Sequence, residues 1–317
     1  MLQLFILTKD RPEELRIALN SALNQDYKDI EVIVSNNSEK DATYSMMCAE
    51  FGDVRCISRA VLLSPFGHIK AVIEDANSDF LMLFHDDDIL DSNHVSVLMS
   101  KIKSFKNLAA VGSNATFIGD VFLKNRRFMN IQNELLIISS FELFQHYLGL
   151  HHSGTTAAPL PGFIYRTNIL KQVNKTYVNK CGKQGDVQLF AEILNYGDIL
   201  WLPGATFKYR ISSFQESYIE KIYDRIKVLY LMSSSGVDLK SKSVLYYKFM
   251  YLTRWWKTSG DRILRYPGRY REKVIAHSIF LLGSLIVLYP FISILFLALS
   301  EPGTRVSGFT VPNGLYF

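Results

Sequence analysis

Cysteine is scarce and unpatterned in this chain. Three residues, Cys48, Cys56 and Cys181, are scattered over 317 positions with no paired spacing and no histidines at metal-ligand intervals. That distribution excludes a disulfide framework and a zinc site, and it fits a reducing compartment. Internal repeats and low-complexity tracts are also missing, so no solenoid or disordered array is expected. The opening LQLFIL is too short for the apolar part of a signal peptide and runs at once into TKDR, so no leader is expected. What is present is 48% hydrophobic residues and 13% aromatics, enough for a sizeable core and too apolar for disorder. Net charge is only +5, yet residues 221–273 hold 13 Lys and Arg against 4 Asp and Glu, a net of +9, leaving the rest slightly acidic. Two regions with different partners are implied.

Short apolar runs alternate with amphipathic segments through the first half, the pattern of β-α-β units around a largely parallel sheet. LQLFILT predicts a first strand. Asp10 then predicts a helix cap, with Glu13 three residues on and Leu15, Ile17, Ala18, Leu19, Ala22 and Leu23 supplying the buried face. DIEVIVSNNS predicts a second strand, VRCIS a third, His68 to Ala76 a helix, and FLMLF the next strand. On this reading SNNS and HDDD both fall at carboxyl ends of parallel strands, where open α/β sheets bind ligands. Further on, NLAAVGSNATFIG predicts a strand pair, SFELFQHYLGL a helix, HHSGTTAAPLPG a loop and GFIYR a strand. Asp186 to Tyr196 predicts a helix, and LWLPGATFKYRIS two short strands broken at Pro203-Gly204. Sheet signals stop near residue 214, and two helical stretches broken near SSSGVD follow.

FLMLFHDDDIL places Asp86, Asp87 and Asp88 at the mouth of a buried strand. Adjacent carboxylates repel and resist desolvation, so a cation or strong donors should sit among them. If the strand continued, Asp86 and Asp88 would point one way and Asp87 the other. The competing reading is a helix N-terminus with surplus acid near the dipole, since DDDILDSNHVSVLM is a credible helix start. Taken alone, Asn36 and Asn37 read equally well as a polar turn, and Asp186 as an N-cap.

In their order, these stretches resemble family 2 glycosyltransferases over residues 1–215. ILTKDRPEELRIALNSALNQDYKDIEVIVSNNS is similar to that family's opening, which builds the nucleotide pocket. The resemblance implies an inverting enzyme with a GT-A fold, Rossmann-like, a mostly parallel sheet with flanking helices. It implies donor-side roles for Thr8, Asp10, Arg11 and Asn36, the last standing where the family usually has an aspartate against uracil. HDDD resembles the family's acidic motif, which holds Mg²⁺ or Mn²⁺ on the donor diphosphate. Asp87 falls on the direct-ligand position, with His85 where the first aspartate usually stands. The roles of Asp86 and Asp88 stay open, and we assign Asp88 to the metal and Asp86 to the donor. GDVQLFAEILNYGDILWLPGATFKYRIS resembles the Glu-Asp-x-x-Leu helix and its following strand, which puts Asp186 on the catalytic-base position and Gly185 on that of the usual glutamate. Arg210 would lie near the diphosphate, with Ser212 where a histidine is frequent, and Lys70 near the nucleotide or on a solvated helix face. His151 and His152 fall in a loop on the acceptor side.

The remainder divides into a basic, aromatic helical region over 216–273, an apolar segment over 274–300 and a short tail over 301–317; within 1–215 the nucleotide half covers about 1–115 and the acceptor half about 116–215. SVLYYKFMYLTRWWKTSGDRILRYPGRYREK interleaves rings and cations, a mixture found at nucleic-acid surfaces and at membrane interfaces. From Val274 to Ser300 no residue is charged, long enough for a bilayer span. That favours a membrane over nucleic acid, and a C-terminal helical, membrane-associating region. YLTRW is similar to the Gln-x-x-Arg-Trp signature of processive polysaccharide synthases with Tyr251 in place of Gln, but one span does not make their channel. The expectation is single-sugar transfer from a nucleotide donor, a UDP-sugar first, to a lipid-linked saccharide on the cytoplasmic face of a bacterial inner membrane, in O-antigen or capsule synthesis. The rivals are a sugar-1-phosphate nucleotidyltransferase, disfavoured because LTKDRP is no Gly-rich phosphate loop, and an inactive membrane-bound scaffold, suggested by Asn36, His85 and Gly185.

Overall fold

The computed structural model describes residues 1–119, 127–128, 131–147, 160–210, 222–242, 244–245 and 247–248. β1 (Leu2–Thr8) is buried at every position, which makes it the spine of the sheet. It pairs in parallel with β2 (Ile30–Asn36) on one side and β4 (Phe80–His85) on the other, and β2 pairs in parallel with β3 (Arg55–Ser58). Three helices make the crossovers: α1 (Pro12–Leu23), α2 (Ala42–Glu50) and α3 (Pro65–Asp75). Beyond β4 come β8 (Phe163–Arg166), antiparallel to it, then β6 (Leu108–Ile118) and β9 (Asp198–Arg210), parallel to each other. β5 (Ile89–Leu90) and β7 (Leu135–Ile137) both pair with β9 and run against it. Six strands, β1 to β4, β6 and β9, therefore point one way, and their carboxyl ends share an edge.

Strand alternation sends residues to two helical layers. Leu2, Leu4 and Ile6 share a core with Leu15 and Leu19 of α1, Met46 of α2, and Val95 and Leu98 of α4 (His94–Ser104). Phe5 and Ile33 are equally buried and face the other way. α3, α6 (Thr167–Thr176) and α7 (Gly185–Ile193) pack in a row. α5 (Ser140–Tyr147) lies against α7, and α8 (Ile222–Ser234) against the short turn Gly182–Gln184. One compact unit, Met1–Ser243, takes in all of these elements.

Four local expectations need correction. Asp10 caps nothing: α1 begins at Pro12 after Arg11, with no side-chain cap. Asp10 instead adopts a positive φ of 55°, and its Oδ1 accepts from the amides of Glu39 and Lys40. Aspartate tolerates that left-handed conformation when its carboxylate finds local donors. NLAAVGSNATFIG is one 11-residue strand, not a pair. LWLPGATFKYR likewise lies within one 13-residue strand, Asp198–Arg210, in which Pro203 and Gly204 are absorbed by a register shift between Leu202 and Ala205, a bulge where a missing N–H does no harm. The acidic run does not start a helix, because two residues of β5 intervene before α4 begins at His94. No disulfide joins the three cysteines. Among the described residues no helix is long and apolar enough to cross a membrane. The apolar segment, its basic flank and the His151-His152 loop lie outside the described residues.

Candidate active site

The end of β4 brings His85 level with Leu7, one residue before the end of β1, while Thr8 stands opposite Asn36 of β2. At that edge the chain turns sharply, with the Asp88 amide 3.5 Å from the His85 carbonyl. Asp86 is buried and fully engaged: its Oδ2 accepts from the Thr8 hydroxyl at 2.8 Å and the Lys9 amide at 3.3 Å, and its Oδ1 from Arg11 at 3.3 Å. Burial pushes its carboxyl up to about 6, against the pull of Arg11 and Thr8. Asp87 faces outward to Arg11 Nη1 at 2.9 Å. Asp88 is buried, accepts from the Arg210 amide at 2.8 Å through Oδ1, and leaves Oδ2 without a partner.

β5 explains how Arg210 arrives there. Pairing of Ile89 with Lys208 and Leu90 with Phe207 fastens the segment after the aspartates to the last turn of β9. Two residues on, the Arg210 amide meets Asp88 and its Nε donates to the Asp87 carbonyl at 2.9 Å. Ligand atoms of His85, Asp87 and Asp88 lie within 4.8 Å of one another. Burial lowers the affinity of His85 for a proton and raises that of Asp88, with Asp87 adding to the latter. A neutral imidazole, two carboxylates and a buried oxygen lacking a donor together fit a divalent cation. Arg11 and the Arg210 amide and guanidinium supply the donors that hold this neighbourhood.

The remaining predicted residues distribute around this turn unevenly. Asn36 is buried and its Oδ1 accepts from the Ser38 amide at 3.0 Å. Neighbouring Asn37 grips the chain after β3 through both the amide and the carbonyl of Leu63, each at 2.9 Å. Lys70 has a structural partner, its Nζ donating to the Tyr177 carbonyl at 3.2 Å and tying α3 to the end of α6. Asp186 sits in the first turn of α7, inside the helix and not at its cap, where the dipole favours an acid. Its Oδ1 accepts from the Val187 amide at 2.8 Å. Tyr209 lies next to Arg210 near the end of β9. Burial, then the charges of Asp88, Asp186 and Asp87, hold its phenol well above the usual range, so both sets of carboxylates act on one ring. Sequence reasoning did not assign His85 as a ligand, although an imidazole beside an acidic run was the available signal. Tyr209 belongs to the Tyr-Arg ending that the resemblance includes, but the sequence assigned it no role of its own.

A mostly parallel sheet carrying a buried acidic turn at its carboxyl ends, with flanking helices on both faces, is a GT-A-like α/β fold. Comparison with known proteins gives the family. A family model described as glycosyl transferase family 2 matches residues 4–168, and the chain belongs to that family. It is 32% identical over 104 residues to GalNAc(5)-diNAcBac-PP-undecaprenol beta-1,3-glucosyltransferase of Campylobacter jejuni, covering 32% of this chain and 34% of that protein. The match thus spans about a third of that relative's length. Crystal structures of S. aureus TarS residues 1–349, one in complex with UDP-GlcNAc, superpose with a TM-score of 0.53 at 14% and 13% identity, over 83% of this chain and 80% of theirs. At such identity the likeness is one of fold.

Proposed function

We propose that this enzyme is an inverting, cation-assisted glycosyltransferase that moves a sugar from a nucleoside diphosphate, UDP foremost, onto a lipid-linked saccharide during surface-polysaccharide synthesis. The observation that carries the reading is the buried, unpartnered Asp88 Oδ2 beside Asp87 and His85, at the strand ends where a diphosphate would lie. His85, Asp87 and Asp88 would hold the metal, which when bound neutralises charge growing on the departing diphosphate. An imidazole in the set favours Mn²⁺ over Mg²⁺. Thr8, Arg11 and Asn36 line the nucleotide side, and the Arg11 and Arg210 guanidiniums can meet phosphate oxygens. Asp186 takes the proton of the acceptor hydroxyl as that oxygen attacks the anomeric carbon, and the glycosidic bond electrons leave with the diphosphate. One new bond forms as one breaks, with inversion. The relative from Campylobacter, whose name places its acceptor on undecaprenyl diphosphate, supports a lipid-linked acceptor. The uncharged segment 274–300 after a basic flank supports anchoring on the cytoplasmic face of the inner membrane. Family membership does not favour the nucleotidyltransferase or the scaffold.

The test pairs a metal readout with turnover. The full chain with Mn²⁺ should melt higher with UDP than with GDP or dTDP, since ligand binding to the native state raises apparent stability. Asp87→Asn should abolish the Mn²⁺-dependent part of that rise and reduce sugar transfer at least about 100-fold, on the scale of a lost electrostatic stabiliser. An Asp87→Asn protein that transfers sugar normally would remove the turn from the chemistry.

A further inference from the structure

We infer that Phe66 is a positioning residue for Asp186, a role that rests on reading Asp186 as the base. α7 begins at Gly185, which is buried, and the ring of Phe66 lies directly on it. A Cβ at position 185 would stand 2.4 Å and 2.6 Å from two ring carbons of Phe66 and 2.9 Å from the Asn179 side chain. No side chain fits there unless the ring withdraws, so the close approach requires glycine. Where the resembling enzymes carry a glutamate next to the base, this chain carries an aromatic wedge from the opposite half of the domain.

Two further contacts make the wedge a clamp. The Tyr177 hydroxyl donates to the Gly185 carbonyl at 2.8 Å, and the rings of Phe66 and Tyr177 are 6.4 Å apart. Lys70, one turn along α3 from Phe66, donates to the Tyr177 carbonyl. α3 itself is fixed at its start. Ser64 caps it by accepting from the Gly67 amide, and Leu63 is held at both its amide and its carbonyl by Asn37, immediately after the strand that ends at Asn36. The floor of the donor pocket is therefore connected through Leu63 and Phe66 to the turn that carries Asp186. A base works only within hydrogen-bond reach of the attacking hydroxyl, and a displacement near 1 Å can cost on the order of 100-fold. Phe66 sets that reach without touching substrate.

Full-length enzyme in detergent, with Mn²⁺, is assayed for UDP release from UDP-glucose or UDP-GlcNAc, whichever the wild type hydrolyses faster. Gly185→Ala should lower kcat by about tenfold or more while leaving KM for the donor within about twofold, as expected when transition-state alignment alone suffers. Phe66→Ala should do the same through the void it leaves. Combining them should restore much of the rate, because the new methyl occupies the space the ring vacated; contacting residues couple in this way. Phe66→Leu, gentler on folding, should fall between. Wild-type turnover in Gly185→Ala, a double variant as slow as the product of its singles, or donor KM rising in step with the loss of kcat would each overturn the inference. So would failure of both Gly185→Ala and Phe66→Leu to fold, which would make the contact structural. Asp186→Asn, run alongside, separates the two readings: lost kcat at unchanged KM upholds the base and leaves the clamp to be judged by position 185, while normal turnover removes both.

Discussion

Asp88 gives one oxygen to the Arg210 amide and keeps the other buried without a protein partner, while Asp86, two residues away, is fully engaged by Thr8, Lys9 and Arg11. Identical residues in one tripeptide thus have different chemistry because a turn aims them differently. The sequence made the acidic run conspicuous, since crowded carboxylates are costly without a counter-charge. Alternation agrees with burial, Asp86 and Asp88 inside and Asp87 outward, but it could not say which buried carboxylate keeps an unpartnered oxygen. His94 is a second residue whose role depends on its surroundings. It is wholly buried, its Nδ1 lies 2.7 Å from the Thr206 hydroxyl, its Nε2 has no partner, and Phe207 packs edge-on against it. Burial pushes its imidazole down to about 3, and burial with nearby Arg59 pushes that of His68 down to about 4. A folded-state pKa below the unfolded value near 6.5 means stability fully present above pH 6.5 and lost as pH falls toward the folded value. By pH 5 the requirement for neutral His94 should cost about 2 kcal/mol. Thermal melts at pH 7.5 and pH 5 should show that loss in the wild type and a smaller one in His94→Gln, which starts from a lower Tm. Equal pH dependence in both would exclude His94 as a source.

Elements were legible where a period had room to repeat. β1 spans Leu2–Thr8 as its pattern required, and β2, β4 and β8 are within a few residues of expectation. β5 and β7 have two and three residues, too few for any alternation, yet β5 is what brings Arg210 to Asp88. α2 has apolar residues without a clear stripe, so it went unread; α6 buries Leu170 and Val173 at helical spacing and was legible but overlooked. β6 and β9 were divided because Gly112 and Pro203-Gly204 look like breaks. In β6 the glycine serves a cross-strand ring: Gly112 pairs with Phe163, and a Cβ would lie 2.4 Å from that ring. Phe163 in turn packs on Phe190 of α7 at 4.7 Å and on Trp201 of β9 at 6.2 Å. Gly112→Ala should therefore destabilise by about 1–3 kcal/mol through overpacking, lowering Tm by a few degrees in differential scanning calorimetry. A gain in Tm would mean the ring relocates freely and the strand gains only from lost glycine entropy.

For the molecule as a whole, the charge map predicts a division of labour between a transferase domain and a membrane-facing tail. Truncation after Lys273 removes the uncharged segment and every residue beyond it but spares all residues assigned to catalysis. The shortened protein should be recovered without detergent and should release UDP from donor at a rate within about threefold of the full chain, yet act poorly on an acceptor embedded in vesicles, since the anchor's contribution is local concentration at the surface. Sedimentation with membranes at high salt would show that another part of the chain is the principal anchor. By itself the sequence determined that an α/β sheet forms with SNNS and HDDD at the carboxyl ends of parallel strands, and it carried the spacing that the family shares, because hydrophobic period and local turn chemistry are short-range properties written in consecutive residues. Only the tertiary structure decided that β8 enters the sheet antiparallel, that His85 joins Asp87 and Asp88 while Asp86 turns away, and that Phe66 takes the space beside Asp186. The strand pairing and the Phe66 contact join residues 82 to 119 positions apart, and Asp86 is held by Arg11 from 75 positions away; such meetings are set by close packing in three dimensions, where the fit of one ring against one glycine is decided by a few tenths of an ångström.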